Sequence, residues 1–344
     1  MKVGVVGATG YLGAELLRLL ADHPALDVAV AQGGSGSGSG AHLGELLPSL
    51  AAAYPDLVVG ATSTDLLDGL DVVFVATPAG SSQEVVASLG GRTRLLVDLG
   101  ADFRLNDPAS YRTWYGFEHA HPEMLQRFVY GLPELFREEL TAARLVSSPG
   151  CYVTAASLAL APLVRDGLIE RSGIVVDAAS GTSGAGKSPS SALHHPLVNE
   201  RFTAYGVLTH RHTPEMEQVL GVELLFTPHL APMTRGILAT CYARPARDGE
   251  AARCSTAQLI EVLAAAYRHD PFVHVTTELP STADAYGSNV CHLTARFDER
   301  TGWIVLFSAL DNLLKGGSGQ AIQAANLALG LPETAGLPLV AMSP

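Results

Sequence analysis

The chain has 344 residues, is 47% hydrophobic and carries a formal net charge of -12. That length and apolar content support a large core divided between two domains, and the acidic balance, with no basic stripe, excludes a general nucleic-acid partner. The four cysteines, Cys151, Cys241, Cys254 and Cys291, form neither a Cys-x-x-Cys pair nor a zinc spacing, so free thiols in a reducing, cytoplasmic setting are expected. The opening MKVGVVG does not read as a secretory leader, and no apolar stretch reaches the roughly 20 residues of a membrane span.

In chain order, Lys2 to Val6 reads as a buried strand, followed by a glycine-rich turn and a helix from Ala14 to Ala21. Further strands are expected at Asp27 to Ala31, Asp71 to Thr77 and Arg94 to Leu99. Strand alternating with helix marks a parallel α/β sheet of the Rossmann type. Gly33 to Gly40 (GGSGSGSG) is a low-complexity loop. From about Ser147 the texture changes. Strands at Gly173 to Ala178, Glu223 to Pro228, Gly236 to Ala243 and Val290 to Phe297, with helices at Ala155 to Arg165 and Ser255 to His269, imply a second α+β domain whose sheet is antiparallel. A last helix spans Gly319 to Leu329. The expected division is residues 1-147 plus about 316-344 for dinucleotide binding, and 148-315 for catalysis and oligomerisation.

Gly7, Gly10 and Gly13 follow a strand and open a helix, a context in which small residues let backbone approach a pyrophosphate. Thr9 and Tyr11 share this turn and are candidate cofactor contacts, as are Ala76, Thr77 and Pro78 at the end of the third strand. The second strand ends at Ala31 and Gln32 without the acidic residue that holds the ribose in NAD-binding versions. NADP is therefore expected and NAD is the alternative, with Ser35, Ser37 and Ser39 as candidate donors to the extra phosphate.

Cys151 follows Pro149-Gly150, a turn that places it at a helix start, where unpaired N–H groups stabilise a thiolate. His210-Arg-His212-Thr-Pro-Glu215 is the second polar cluster. Alternation in an extended segment puts His210 and His212 on one face, either one able to serve Cys151 as acid/base and His212 the favoured one. Glu215 caps the next helix, orients an imidazole or meets substrate. Ser180, Gly181 and Gly184 belong to a glycine-rich loop that forms a phosphate nest or approaches the nicotinamide, with Lys187 at its end. Arg104, fixed by Asp102, is a candidate for an anionic substrate group, joined by Ser148, Pro149, Lys187 and Arg211. Asn312 is a candidate cofactor contact, and Lys315 among glycines a candidate anion contact. The adjacent His194 and His195 diverge in direction, so no metal site is expected.

With these motifs the chain resembles the N-acetyl-gamma-glutamyl-phosphate reductases of arginine biosynthesis, in the semialdehyde dehydrogenase group. The resemblance runs over nearly the whole chain: Gly7 to Gly13, Asp98 to Arg104, Tyr130 to Glu134, Pro149 to Thr154, Gly181 to Lys187, His210 to Glu215 and Asp311 to Gly316. It implies Cys151 as nucleophile, His212 or His210 as its partner, NADP as cofactor, a small acyl-phosphate substrate, no metal, and a homodimer or homotetramer. The family's Thr-Ser-Arg segment after the second strand is replaced here by Ala31 to Gly40, which lacks the arginine.

The reaction so implied is reduction of N-acetyl-L-glutamyl 5-phosphate through a Cys151 thioester to the 5-semialdehyde. One rival is the same chemistry on a carrier-linked aminoadipyl phosphate, whose enzymes tend to carry Gly-Cys-Asn where this chain has Gly150-Cys151-Tyr152. Aspartate-semialdehyde dehydrogenase is more distant and lacks the His-Arg-His-Thr-Pro-Glu segment. A non-catalytic nucleotide-binding module is disfavoured by retention of Cys151 with both histidines.

Overall fold

The computed structural model describes residues 1-33, 39-246 and 254-342. Two compact units emerge: Met1–Pro149 with Gly317–Leu337, and Gly150–Gly316 with Pro338–Pro344.

The first unit holds strands β1 (Lys2–Val6), β2 (Asp27–Gln32), β3 (Val59–Gly60), β4 (Val72–Val75), β5 (Leu95–Asp98), β6 (Val129–Tyr130) and β7 (Leu145–Ser147). They form one sheet in the order β3-β2-β1-β4-β5-β7-β6, every neighbouring pair parallel. β4 and β5 are buried along their whole length, the signature of parallel strands covered on both faces. The helices here are α1 (Tyr11–Leu20), α2 (Leu43–Leu46), α3 (Gln83–Leu89), α4 (Pro108–Tyr115) and α5 (Pro133–Thr141). Val73, Val75 and Leu96 pack with Val85, Val86 and Leu89 of α3 and with Phe103 and Tyr111.

α1 begins at Tyr11, three residues before the Ala14 start expected from apolar periodicity. Its N-cap is Gly10, in extended conformation and without a capping side chain, so the usual Ser, Thr or Asp signal is missing from the sequence.

The second unit holds β8 (Ile174–Ser180), β9 (Thr203–Ala204), β10 (Leu224–Leu230), β11 (Ile237–Ala243), β12 (Val273–Val275), β13 (Cys291–Asp298) and β14 (Trp303–Leu310). Its helices are α6 (Cys151–Arg165), α7 (His195–Val198), α8 (His212–Leu220), α9 (Thr256–Ala266) and α10 (Thr282–Ala285). The sheet order is β12-β13-β14-β11-β8-β10-β9. The sheet is mixed rather than antiparallel: β8 pairs parallel with β10, and β12 with β13. Each parallel pair is joined by a crossover that contains helix, α8 in one case and α10 in the other, as parallel strands require. The final helix, α11 (Gly319–Leu329), belongs to the first unit.

α6 is the central helix of the second unit and packs on β11, β13 and β14. It carries Pro162 in its interior. A proline there has no N–H for the carbonyl four residues back, that of Leu158. The structure supplies a substitute donor, Tyr267 Oη, at 2.7 Å from Leu158 O. β8 and β11 alternate buried and half-buried residues. One face of the sheet is thus covered, while Val175, Asp177, Leu238 and Tyr242 mark the other, half-buried face.

Candidate active site

In the first unit the chain reverses at the carboxyl ends of β1 and β4, where β2 and β3 lie to one side and β5 to β7 to the other. Such a switch point leaves a crevice for a ligand. Gly7 has φ +81°, and a Cβ on it would stand 2.2 Å from Ala76 O. A Cβ on Gly13 would stand 2.1 Å from Gly7 O. Both positions therefore admit only glycine, and the turn they make brings the uncapped first turn of α1 to the end of β1. Gly10 is that helix's N-cap, and Thr9, Tyr11, Ala76 and Thr77 all keep some exposure around it. This close-wound, uncapped helix start fits the pyrophosphate of a dinucleotide.

Gln32 closes β2 and is fully buried. Its carbonyl accepts the N–H groups of Gly7 and Ala8 at 2.8 and 2.9 Å. Its side-chain amide donates to Ser63 O (2.8 Å) and accepts from Ser63 N–H (3.2 Å). Among the described residues no carboxylate stands at this strand end to repel a phosphate on the ribose. Ser35 and Ser37 lie outside the described residues.

Arg104 is buried at the far end of the loop after β5 and donates to Leu99 O at 3.1 Å. Asp102, expected to fix it, accepts from Gly80 N–H (2.6 Å), Ser82 N–H (3.0 Å) and Ser82 Oγ (2.8 Å). Ser148 is buried and its N–H donates to Asp98 O at 2.7 Å; Pro149 is buried beside it in sequence.

In the second unit Cys151 is the first residue of α6, half-buried, after an N-cap glycine that offers no side chain to the helix. Two of the other thiols differ in burial. Cys241 and Cys291 are buried in strands, and burial pushes the Cys241 thiol up to about 12.

His212 is the first residue of α8. Its Nε2 lies so close to Gly150 that a Cβ there would be 2.4 Å away. One turn further along α8, the fully buried Glu215 accepts the Gly150 N–H at 2.9 Å. The first turn of α8 thus presents an imidazole and a carboxylate to the residue that precedes the thiol. This is a different task from the helix cap or substrate contact expected of Glu215: the carboxylate is enclosed and holds backbone.

His210 and His212 do meet, with ring centroids 4.7 Å apart. They do so through a tight turn into the helix, not through an extended segment. His210 Nδ1 accepts the His212 N–H at 3.1 Å. Burial, helped by the Arg211 charge, pushes the His210 imidazole down to about 4, so it is neutral at ordinary pH. Both rings pack edge-on to Tyr152, which is itself buried and donates to His229 O at 3.1 Å. Arg211 and Lys187 are exposed.

The loop after β8 departs from expectation. The N–H groups of Gly181, Thr182 and Ser183 donate to Gly236 O, Met233 O and Thr234 O, and that of Gly184 to Gly181 O. These donors are spent within the protein, so the loop is no phosphate nest. Gly181 is required because a Cβ would lie 2.6 Å from the Arg235 backbone, and Gly184 because one would lie 2.8 Å from Ser180 Oγ. Ser180 is buried and its Oγ donates to Gly181 O. Asn312, expected against the cofactor, ties this loop down: its Oδ1 accepts from Gly236 N–H (2.7 Å) and its Nδ2 donates to Ser183 Oγ (2.9 Å). Lys315 is fully buried, with Nζ 5.8 Å from the Phe272 ring centroid, and meets no solvent anion.

Comparison with known proteins decides the family. The chain matches the family models for the semialdehyde dehydrogenase NAD binding domain over residues 2-143 and dimerisation domain over residues 151-312. It is 48% identical to the N-acetyl-gamma-glutamyl-phosphate reductase of Symbiobacterium thermophilum, over 98% of this chain and 97% of that one. The chain belongs to the N-acetyl-gamma-glutamyl-phosphate reductase family. Its fold matches the aspartate semialdehyde dehydrogenase II of Vibrio cholerae (TM-score 0.70, 15% identity, 96% and 98% of the two chains). It also matches the enzyme of Candida albicans solved with NADP (TM-score 0.68, 15% identity, 95% and 98%).

Within this reductase fold, one residue was named in the sequence only as the start of a motif, and another was missed. Asp311 is fully buried: its carboxylate accepts from Gly287 N–H (2.8 Å) and Leu313 N–H (2.9 Å) and pairs with Arg235 (3.3 Å). It shapes the turn that carries Gly316, where a Cβ would fall 2.8 Å from Cys151 Cβ. Arg235 stands outside every motif noted in the sequence. The only signal for it was position, one residue before a glycine that opens β11.

Proposed function

We propose that the chain reduces N-acetyl-L-glutamyl 5-phosphate to N-acetyl-L-glutamate 5-semialdehyde, with Cys151 as nucleophile and His212 as its acid/base partner. The observation that carries this reading is the seating of Cys151 at an uncapped helix start with His212 Nε2 against the preceding glycine. Cys151 Sγ attacks the acyl carbon, the oxyanion is met by N–H groups of the first turn of α6, and the C–O bond to phosphate breaks to leave a thioester. NADPH, when bound at the Gly7 to Gly13 turn, supplies a hydride to the thioester carbon. The thiohemiacetal oxyanion then expels the Cys151 thiolate, and the semialdehyde leaves. His212 holds the thiolate by hydrogen bonding and returns its proton. Neutral His210, accepting the His212 N–H, fixes where that imidazole points. Glu215 acts through Gly150 as a positioning residue. Arg104 receives an anionic group of the substrate.

The half-buried face of the second sheet, with Val175, Leu238, Tyr242 and Trp303, supports a homodimer built on this unit, in line with the matched dimerisation domain. A homotetramer would pair such dimers. No described helix is long and apolar enough to cross a membrane, and the free cysteines suit the cytoplasm.

The test is phosphate-dependent reduction of NADP by N-acetylglutamate 5-semialdehyde, the reverse reaction, with wild type and Cys151→Ser. Activity in the wild type that vanishes in the variant is the expected result. A folded, NADP-binding wild type without activity would overturn the substrate assignment in favour of a carrier-linked aminoadipyl group.

A further inference from the structure

At the end of β5 two carboxyl groups, Asp98 and Asp102, share one buried corner with Arg104. Their surroundings are unequal. Asp102 accepts three donated hydrogen bonds, two from backbone and one from Ser82 Oγ. Asp98 is fully buried, its Oδ1 accepts a single N–H, that of Gly100 at 3.0 Å, and its Oδ2 is enclosed with no donor aimed at it. Ser82 Oγ is also within hydrogen-bonding reach of Asp98, a contact that pulls against the upward shift, but its one proton is shared with Asp102. A protonated Asp98 can donate to that oxygen and complete a relay from Asp98 through Ser82 to Asp102.

We propose that Asp98 is a positioning residue that carries a proton when the anionic substrate group docks, leaving the Asp98, Asp102 and Arg104 cluster without net charge, and that loss of this proton weakens anion binding on the alkaline side. The inference rests on the reading of Arg104 as the anion-holding residue. With Asp98 neutral, the charges of Asp102 and Arg104 cancel. With Asp98 ionised, the corner carries one net negative charge against an incoming anion. Burial first, then the neighbouring Asp102, pushes Asp98 up to about 7, against the opposing pull of Arg104. Burial lowers His119, whose Nε2 sits 2.7 Å from Asp102 O, and raises Tyr111, whose Oη accepts the Leu105 N–H.

Sulfate is the probe, because its own charge is constant from pH 6 to pH 8, and saturating NADP keeps it from the cofactor site. If only the protonated corner binds, the sulfate Kd of wild type rises about tenfold between those pH values, as one titration centred near 7 requires. Asp98→Asn should bind at both pH values as tightly as wild type does at pH 6. Calorimetry of wild type in two buffers of different ionisation heat gives a second readout that needs no variant: uptake close to one proton per sulfate at pH 8 and close to none at pH 6. A wild-type affinity that does not change with pH, or that changes equally in Asp98→Asn, overturns the proposal. Arg104→Gln separates the two layers of the argument. Loss of sulfate affinity at both pH values supports the Arg104 reading whatever Asp98 does. Unchanged affinity overturns that reading, and the role of Asp98 with it.

Discussion

Replacing Gly150 by alanine isolates the placement of His212. The backbone at Gly150 is extended, φ -67° and ψ 144°, a conformation alanine adopts without strain. The new methyl group would stand 2.4 Å from His212 Nε2 and 2.7 Å from its Cδ2 and Cε1, where ordinary contact begins at 3.4 Å. The imidazole must retreat by about 1 Å, a misplacement that costs catalysis on the order of a hundredfold. Fold stability is read separately. A buried overpacking of this kind costs about 1–3 kcal/mol, partly offset by about 0.4–1 kcal/mol from the stiffer unfolded chain. The assay is kcat/KM of the phosphate-dependent reverse reaction, with a thermal melt on the same sample. The control is the same substitution in a His212→Ala background. There the ring is gone, and Gly150→Ala should change kcat/KM by less than about twofold, because the two effects share one contact. Full activity in Gly150→Ala, or an equal loss in both backgrounds, would refute the argument that Gly150 is glycine for the sake of His212.

Three further outcomes are expected. His210 is near 4 when folded and near 6.5 when unfolded, so between those values the unfolded chain takes up a proton that the folded chain refuses. Stability is therefore lost as pH falls from 6.5 towards 4, by an amount of order 3 kcal/mol at the limit; in His210→Gln this part of the acid sensitivity should vanish from melts at pH 7 and pH 5. Tyr267→Phe leaves the Leu158 carbonyl buried beside Pro162 without its donor and should cost about 1–3 kcal/mol, read from denaturant unfolding, whereas an unchanged midpoint would show that Leu158 finds another donor. Asn312→Ala removes the acceptor of the Gly236 N–H and should lower stability by a similar amount of about 1–3 kcal/mol while leaving NADP affinity, measured by fluorescence titration, unchanged; a loss of NADP binding instead would return Asn312 to the cofactor site.

Local chemistry made much of this chain legible. The alternation of strands and helices in the first half named a parallel sheet. The glycines at positions 7 and 13 marked a turn that only glycine can make, and Pro149-Gly150 ahead of an apolar helical pattern marked the start of α6. Those signals lie within a few residues of one another, where backbone geometry is dictated by the residues themselves. Signals that depend on partners far along the chain were misread or missed. The loop from Ser180 to Gly184 looks like an anion nest until the carbonyls of Met233, Thr234 and Gly236 are seen to consume its donors. Asn312 looks available until its amide is found joined to Gly236 and Ser183. The mixed order of the second sheet was hidden because parallel pairing is set by crossovers, not by any one strand's sequence.

The sequence by itself determined which residues are the candidates for the chemistry, since a thiol after Pro-Gly and a pair of histidines are properties of residue type and close spacing. Only the tertiary structure decided how they divide the work. Fifty-eight residues of chain separate Cys151 from His210, and nothing in that interval states that α8 will lay His212 against Gly150, enclose Glu215 beneath it, and bury His210 until it is neutral. Burial and hydrogen bonding set those charge states, and both are decided by which distant segments come to lie together.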